Sequence, residues 1–160
     1  RPLTPSFACR HNLQYWRSLP YLAFGAGAHG YVNGYRYSNV LRIKTYIDRL
    51  TNPQSTNLPF PLSPATVNHH KQTLQDDMSE FMITGLRLTQ EGVSESEFQA
   101  RFGKFLRDVY KNEVEDLLKL GLIELTNDSH PTNGDRLGVR ARLTRRGRLL
   151  GNLVFMRFVD

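Results

Sequence analysis

A single cysteine, Cys9, stands among 160 residues. It excludes an internal disulfide, and it excludes an iron–sulfur site built from this chain alone, because such clusters take several thiolates from the protein. Long apolar runs are missing too. No stretch approaches the roughly 20 residues that span a bilayer, and the N-terminus lacks the basic, apolar and small-residue zones of a signal peptide. The sequence therefore reads as a soluble, cytoplasmic chain. Methionine is scarce: the first is Met78, whereas residue 1 is arginine, so the chain is expected to be a piece of a longer protein. No carboxylate pair, Ser-His-Asp arrangement or zinc-ligand spacing stands out, and Glu80 near Arg87 makes no catalytic set. His69 and His70 are neighbours that do not share a face, which makes them a poor metal pair and assigns them to the surface.

Charge and glycine, by contrast, are concentrated. The formal charge is +6, and Arg136, Arg140, Arg142, Arg145, Arg146, Arg148 and Arg157 crowd the C-terminal quarter, with Asp135 and Asp160 at its edges. Such a region favours an anionic partner, although a solvated basic face is the simpler account.

The pattern along the chain predicts an α+β organisation. Residues 1–12, with Pro2 and Pro5, read as an extended lead-in. Residues 21–24 predict a short buried strand, followed by a glycine-rich bend and a hairpin turning at Asn33-Gly34. Ser38 is placed to cap a helix carrying Val40, Ile43, Ile47 and Leu50 at helical spacing. Residues 53–63 have linker composition and divide a first module, 1–52, from a second, 64–160. In the second, Ser63-Pro64 opens a helical region whose Leu74, Met78, Phe81, Met82, Gly85 and Leu86 share a face, ending near Leu88. Ser94 and Glu97 match a capping box for a helix from about residue 95 to 102, stopped by Gly103. A helix over 105–120 follows, then strands at 122–126 and 139–143 around a loop with Pro131 and Gly134. A last helix is capped by Thr144 and buries Leu149, Leu150, Leu153 and Val154. Helices, a two-stranded wing and a closing helix describe a winged-helix-like module.

Two motifs carry chemistry. The first is His11-Asn12-x-x-Tyr15-Trp16, preceded by Cys9 and flanked by Arg10 and Arg17. A neutral imidazole or a thiolate is an axial iron ligand; Tyr15 and Trp16 could lie against a porphyrin face while Arg10 and Arg17 meet its propionates. The structural alternative is that both aromatics plug a core and Asn12 fixes a turn. The second is Gly25-Ala26-Gly27-Ala28-His29-Gly30, whose glycines permit close approach of backbone to a ligand or simply a packing bend. It is no dinucleotide fingerprint, because a hairpin rather than a helix follows.

These motifs resemble a known family. Cys9-Arg10-His11-Asn12 with Tyr15-Trp16, and YLAFGAGAHG at 21–30, are similar to the end of the radical S-adenosylmethionine domain in proteins related to oxygen-independent coproporphyrinogen III oxidase. EFMITGLRL at 80–88, Gly92-Val93, Phe98, Phe102-Gly103, Gly121-Leu122-Ile123 and LTRRG at 143–147 are similar to that family's C-terminal domain. Within it, H-N-x-x-Y-W resembles the heme-chaperone (HemW-like) branch. The resemblance implies the last strands and helix of a partial TIM barrel over 1–52, heme bound at His11, Asn12, Tyr15 and Trp16 with Cys9 beside them, and heme iron as the only metal. It also implies part of an S-adenosylmethionine pocket at Gly25, Gly27, Ala28 and His29, a [4Fe-4S] cluster in the full-length protein, and heme-acceptor partners, membrane-bound ones among them. Whether the full-length protein is a homodimer is left open. The cluster motif C-x-x-x-C-x-x-C is absent here, so this chain alone is expected to be catalytically inactive. The alternatives are the oxidase itself, which decarboxylates coproporphyrinogen III oxidatively, and a winged-helix nucleic-acid binder. Against the latter stand Asp108, Glu113, Glu115 and Asp116 on the helix where a recognition surface would be sought.

Overall fold

The computed structural model describes residues 9–54, 57–127 and 138–159, which form mixed α and β structure. They divide into two units, one over Leu19–Thr73 and one joining the residues up to Ser18 with those from Leu74 onward.

The Leu19–Thr73 unit is built on an antiparallel sheet of order β1-β2-β3, with β1 over His29–Val32, β2 over Tyr35–Asn39 and β3 over Thr66–Lys71. Asn33 (φ 55°) and Gly34 (φ 74°) supply the two left-handed residues that a two-residue hairpin turn requires. Three expectations change here. The strand over 21–24 shrinks to one bridge between Tyr21 and Tyr31, because Leu22 and Phe24 are exposed and Gly25 (φ 102°) turns the chain away. Ser38 sits inside β2, paired with His29 on one side and Asn68 on the other, so the helix α2 (Ile43–Thr51) starts at Arg42 without a side-chain cap. Thr66–Lys71, read as the approach to a helix, pairs with β2 instead, since the open edge of the hairpin offers a ladder that the β-branched Thr66 and Val67 accept. The stretch 53–63 therefore lies within this unit, and the long helix begins at Leu74 rather than near Pro64.

The other unit packs α3 (Leu74–Gly85), α4 (Glu95–Phe102), α5 (Leu106–Val109) and α6 (Lys111–Lys119) around Met78, Phe81, Met82, Leu86, Phe98, Leu106, Val114 and Leu117. Phe98 lies 4.8 Å from Phe102 and 5.9 Å from Phe81, ring centre to ring centre, the spacing of favourable aromatic pairs. The Ser94 half of the capping box is present, with Ser94 Oγ accepting from the Glu97 amide at 3.5 Å, while the Glu97 carboxylate lies 3.6 Å from Arg140 Nη2; Gly103 (φ 68°) ends α4 in the left-handed region. The helix expected over 105–120 breaks at Tyr110 (φ −114°, ψ 40°). Tertiary contacts override helical propensity there, because the Tyr110 ring packs 5.2 Å from Phe158 and its hydroxyl meets Ser79 Oγ at 3.1 Å.

β5 (Ile123–Asn127) and β6 (Val139–Leu143) form the expected antiparallel pair, which gains a third strand, β4 (Val93–Ser94), in the order β4-β6-β5. The loop with Pro131 and Gly134 lies outside the described residues. Thr144 Oγ1 accepts from the Gly147 amide at 3.0 Å and so caps α7 (Arg145–Leu149), which is followed by α8 (Gly151–Phe155) and a closing 3-10 turn, Met156–Phe158. The leucine face expected to be buried is not: Leu149, Leu150 and Leu153 are exposed, and Gly147, Val154 and Phe158 face the core. The cause is Gly147, where an added Cβ would collide with the Leu122 carbonyl; the segment docks through its glycine side because only there can backbone approach backbone.

Gly92 and Gly103 separate space from backbone strain. Both have positive φ, but a Cβ at Gly92 would meet the Ala141 carbonyl, whereas Gly103 faces open space. Gly103→Ala should cost about 1 kcal/mol from the left-handed conformation alone. Gly92→Ala should cost roughly 2–4 kcal/mol, because overpacking is added to that strain. Urea-unfolding midpoints of the two variants measure the difference.

Candidate functional site

The H-N-x-x-Y-W motif forms a helix, α1 (Arg10–Trp16), rather than the end of an extended lead-in. Residues 1–8 lie outside the described residues, but Arg10, His11 and Asn12 occupy its first turn, which opens with the Leu13 amide donating to the Cys9 carbonyl at 3.1 Å. The segment has no β-branched residue, proline or glycine to oppose a helix. Helical spacing sets His11 and Tyr15 on one side and Asn12 and Trp16 on another. The Tyr15 hydroxyl lies 3.0 Å from His11 Nε2, and their rings meet edge to face at 4.9 Å. Cys9, Arg10, His11 and Asn12 are exposed, while Tyr15 and Trp16 are half-buried.

The other end of α1 is clamped. Arg17, expected to meet a propionate, instead reaches both oxygens of Glu91 from one nitrogen, Nη2, at 2.8 and 3.1 Å, a charge-assisted contact. Ser18 Oγ meets Thr84 Oγ1 at 2.8 Å, and Arg101 Nη1 donates to the Ser18 carbonyl at 3.1 Å while its guanidinium lies 5.5 Å from the Phe81 ring. Sequence reasoning missed Thr84, Glu91 and Arg101, since nothing local signals a partner 66 to 83 residues away. Arg10 is the exposed cation left beside His11. The exposed His11 imidazole on the helix and the exposed Cys9 thiol at its N-cap stand two residues apart, and each is a group able to ligate iron.

The glycine-rich bend is tied from within. Gly25 (φ 102°) and Gly27 (φ 71°) need their conformations. The Gly25 amide donates to Tyr46 Oη at 3.1 Å, and the Gly27 amide donates to the Val40 carbonyl at 2.9 Å. Buried Asn39 donates from Nδ2 to the carbonyls of Ala23 and Gly25, at 3.3 and 3.1 Å, and its amide donates to the Ala28 carbonyl at 2.9 Å. Asn39 and Tyr46 are thus the residues that shape the bend, and neither lies in the motif. Gly30 is required for packing, because a Cβ there would enter the Tyr37 ring. His29 is exposed, and with Arg36, Ser38, Asn68 and His70 it lines an open cleft of about 320 Å³ on the β1-β2-β3 sheet. His69 and His70 are on the surface as expected, but in a strand, and among the described residues no three His, Cys, Asp or Glu side chains gather as metal ligands.

Much of the basic C-terminal quarter is occupied structurally. Arg140 donates to the Glu91 carbonyl at 3.4 Å, and Arg142 donates to the Gln90 carbonyl at 3.2 Å while pairing with Glu124 at 2.8 Å. Arg146 donates to the Leu120 carbonyl and Arg148 to that of Thr89, both at 3.2 Å. Arg136 lies outside the described residues, and Arg145 and Arg157 are exposed. Asp108, Glu115 and Asp116 are exposed on α5 and α6, where a groove-reading surface would need cations.

Residues 72–131 match the HemN C-terminal domain family. The chain is 35% identical over 94% of its length to the heme chaperone HemW of Bacillus subtilis and 28% identical over 97% to that of Lactococcus lactis. It spans about a third of the length of these relatives, 34% and 35% respectively. It also resembles the solved structure of coproporphyrinogen III oxidase (HemN) from Escherichia coli, a radical SAM enzyme, with a TM-score of 0.58 at 18% identity over 88% of this chain and 28% of that one.

Trp16 is the only tryptophan, so its emission reports the seating of α1. Arg17→Ala should shift that emission to the red and lower stability by about 1 kcal/mol, the scale of a partly exposed pair. A double-mutant cycle with Glu91→Ala should recover a favourable coupling of the same order, about 1 kcal/mol.

Proposed function

We propose that this chain, which belongs to the HemN- and HemW-related family of coproporphyrinogen III oxidase-like proteins, is the C-terminal part of a heme chaperone that binds heme at α1 and passes it to acceptor proteins. The observation that carries this reading is the pairing of exposed His11 with Tyr15 on a helix held at its far end by Arg17, Ser18 and Arg101. The 3.0 Å contact suits either donor direction; in the tautomer with its proton on Nε2, the phenol accepts that N–H and Nδ1 is left to ligate iron. Tyr15 then acts as the residue that fixes the ligand ring, as outer partners do for metal-bound histidines. Cys9 stands within two residues as a competing axial donor. Arg10 is free of the clamp that holds Arg17 and suits a propionate, while the rings of Tyr15 and Trp16 suit a porphyrin edge.

The finer assignments of the family stand with this proposal. The Leu19–Thr73 unit would be the end of the radical SAM barrel, and the unit from Leu74 onward a winged-helix-like module. Gly25, Gly27, Ala28 and His29 would border S-adenosylmethionine; with the bend's amides and carbonyls bonded inward, His29 is the side chain best able to touch it. One cysteine does not fit a [4Fe-4S] cluster, so the cluster ligands must come from elsewhere in a full-length protein and no step through it is assigned to these residues.

Hemin titration of the full-length protein tests the reading. Wild type should give a shifted Soret band, His11→Ala should weaken binding at least tenfold, and Tyr15→Phe should weaken it by about tenfold. Unchanged affinity in His11→Ala would remove His11 from the site and promote Cys9, which Cys9→Ser then tests. Formation of protoporphyrinogen in an anaerobic assay of the reconstituted protein would overturn the chaperone reading in favour of an oxidase.

A further inference from the structure

The sheet of the Leu19–Thr73 unit gathers polar side chains on one face. Residues two apart on a strand point the same way, and the register lines them up across the strands. His29 stands opposite Ser38 and Ser38 opposite Asn68; in the next row Tyr31 stands opposite Arg36 and Arg36 opposite His70. Directly opposed side chains have their Cβ atoms about 5 Å apart, so His29, Ser38, Asn68, Arg36 and His70 reach a common volume. That volume is the open cleft of about 320 Å³. His29, Asn68 and His70 are exposed, and Arg36 and Ser38 are half-buried. The guanidinium is held in place: Arg36 Nη1 donates to Tyr21 Oη at 3.0 Å, and the group lies 4.9 Å from the centre of the Tyr31 ring. Among the described residues, no carboxylate lines the cleft, and Arg36 is its one Lys or Arg.

We propose that this cleft binds the phosphate group of a small molecule, independently of the heme reading. A carboxylate has two oxygens in one plane and is satisfied by a single guanidinium fork. Here guanidinium, imidazole, hydroxyl and amide groups come from three strands in two rows, and all of them can donate. The tetrahedrally placed oxygens of a phosphate can meet such a set, whereas a planar group cannot. The glycine-rich bend does not offer the same service, because the Gly25 and Gly27 amides bond inward to Tyr46 and Val40. A nucleic-acid backbone is the poorer fit, since it is held by a run of cations rather than by one. His29, at the edge of the cleft, is shared with the S-adenosylmethionine contact proposed above, so the test leaves it intact.

The test is calorimetric titration of the full-length protein with inorganic phosphate, AMP and acetate. Phosphate and AMP are expected to bind at one site, and acetate is not. AMP binding more tightly than the free ion identifies a nucleotide as the source of the phosphate, equal affinity identifies the phosphate group alone, and either supports the site. Arg36→Gln should weaken AMP binding by roughly tenfold, the scale of a hydrogen bond to a charged group, and Asn68→Ala/His70→Ala should weaken it by a similar factor. Since Asn68 and His70 are exposed, the double variant should keep the wild-type thermal unfolding midpoint and hemin affinity. Failure of both phosphate probes to bind, acetate binding as tightly as phosphate, or an affinity unchanged in the double variant overturns the proposal. Arg36→Gln also removes a hydrogen bond to Tyr21; should it fold poorly, the double variant decides alone. Binding of DNA that the double variant weakens, with neither phosphate probe bound, would replace the small molecule with a nucleic acid.

Discussion

Four arginines from three parts of the chain converge on the turn after α3, and the arrangement of the larger unit depends on them. Arg17, at the end of α1, takes the Glu91 carboxylate; Arg140 and Arg142, on β6, take the carbonyls of Glu91 and Gln90; Arg148, on α7, takes that of Thr89. A helix end or tight turn leaves carbonyls without intrahelical partners, and guanidinium is suited to them because its donors are many and permanently charged. Each bond is partly exposed and individually modest, of the order of 1 kcal/mol or less. Their joint effect is positional: the helix with the His11 motif, the β4-β6-β5 sheet and the C-terminal helices are all registered to three consecutive residues. Gly92 then lets the chain leave that turn hard against β6, where no side chain fits.

This convergence also explains why the basic quarter of the sequence misleads. Charge counted along the chain suggests a surface for an anionic partner, yet Arg140, Arg142, Arg146 and Arg148 spend donors on the protein's own carbonyls. Composition reports charge and says nothing of which carbonyls lie within reach. Local signals fared better because their physics is local. The Ser94 cap, the left-handed stop at Gly103, the Asn33-Gly34 hairpin and the Thr144 cap each rest on contacts within a few residues, and each is present.

Expectations failed where a distant partner decided the outcome. Thr66–Lys71 became a strand because the hairpin had an open edge, and Tyr110 broke a regular helical pattern because Phe158 and Ser79 hold its ring and hydroxyl. The leucine stripe at 149–153 was amphipathic in the sequence as expected, but periodicity does not say which of two stripes meets the core; the close approach at Gly147 does. The candidate heme residues were legible as a motif, and their helical pairing of His11 with Tyr15 was not, since His-x-x-x-Tyr is compatible with a turn as well as a helix. Arg17 illustrates the boundary: its residue type suggested a ligand contact, and the structure gives it to Glu91 instead.

The fixing of α1 at its C-terminal end has a consequence for biosynthesis. A helix of seven residues is far below the roughly 12–15 that persist alone in water. Its anchors, Thr84, Glu91 and Arg101, are translated more than 65 residues after Ser18, with the whole Leu19–Thr73 unit between. As the chain emerges from the ribosome, the His11 motif therefore lacks its Thr84, Glu91 and Arg101 anchors while the intervening residues are made. The motif helix is made before the residues that anchor it, so any ligand site it contributes to matures only once the unit from Leu74 onward has folded.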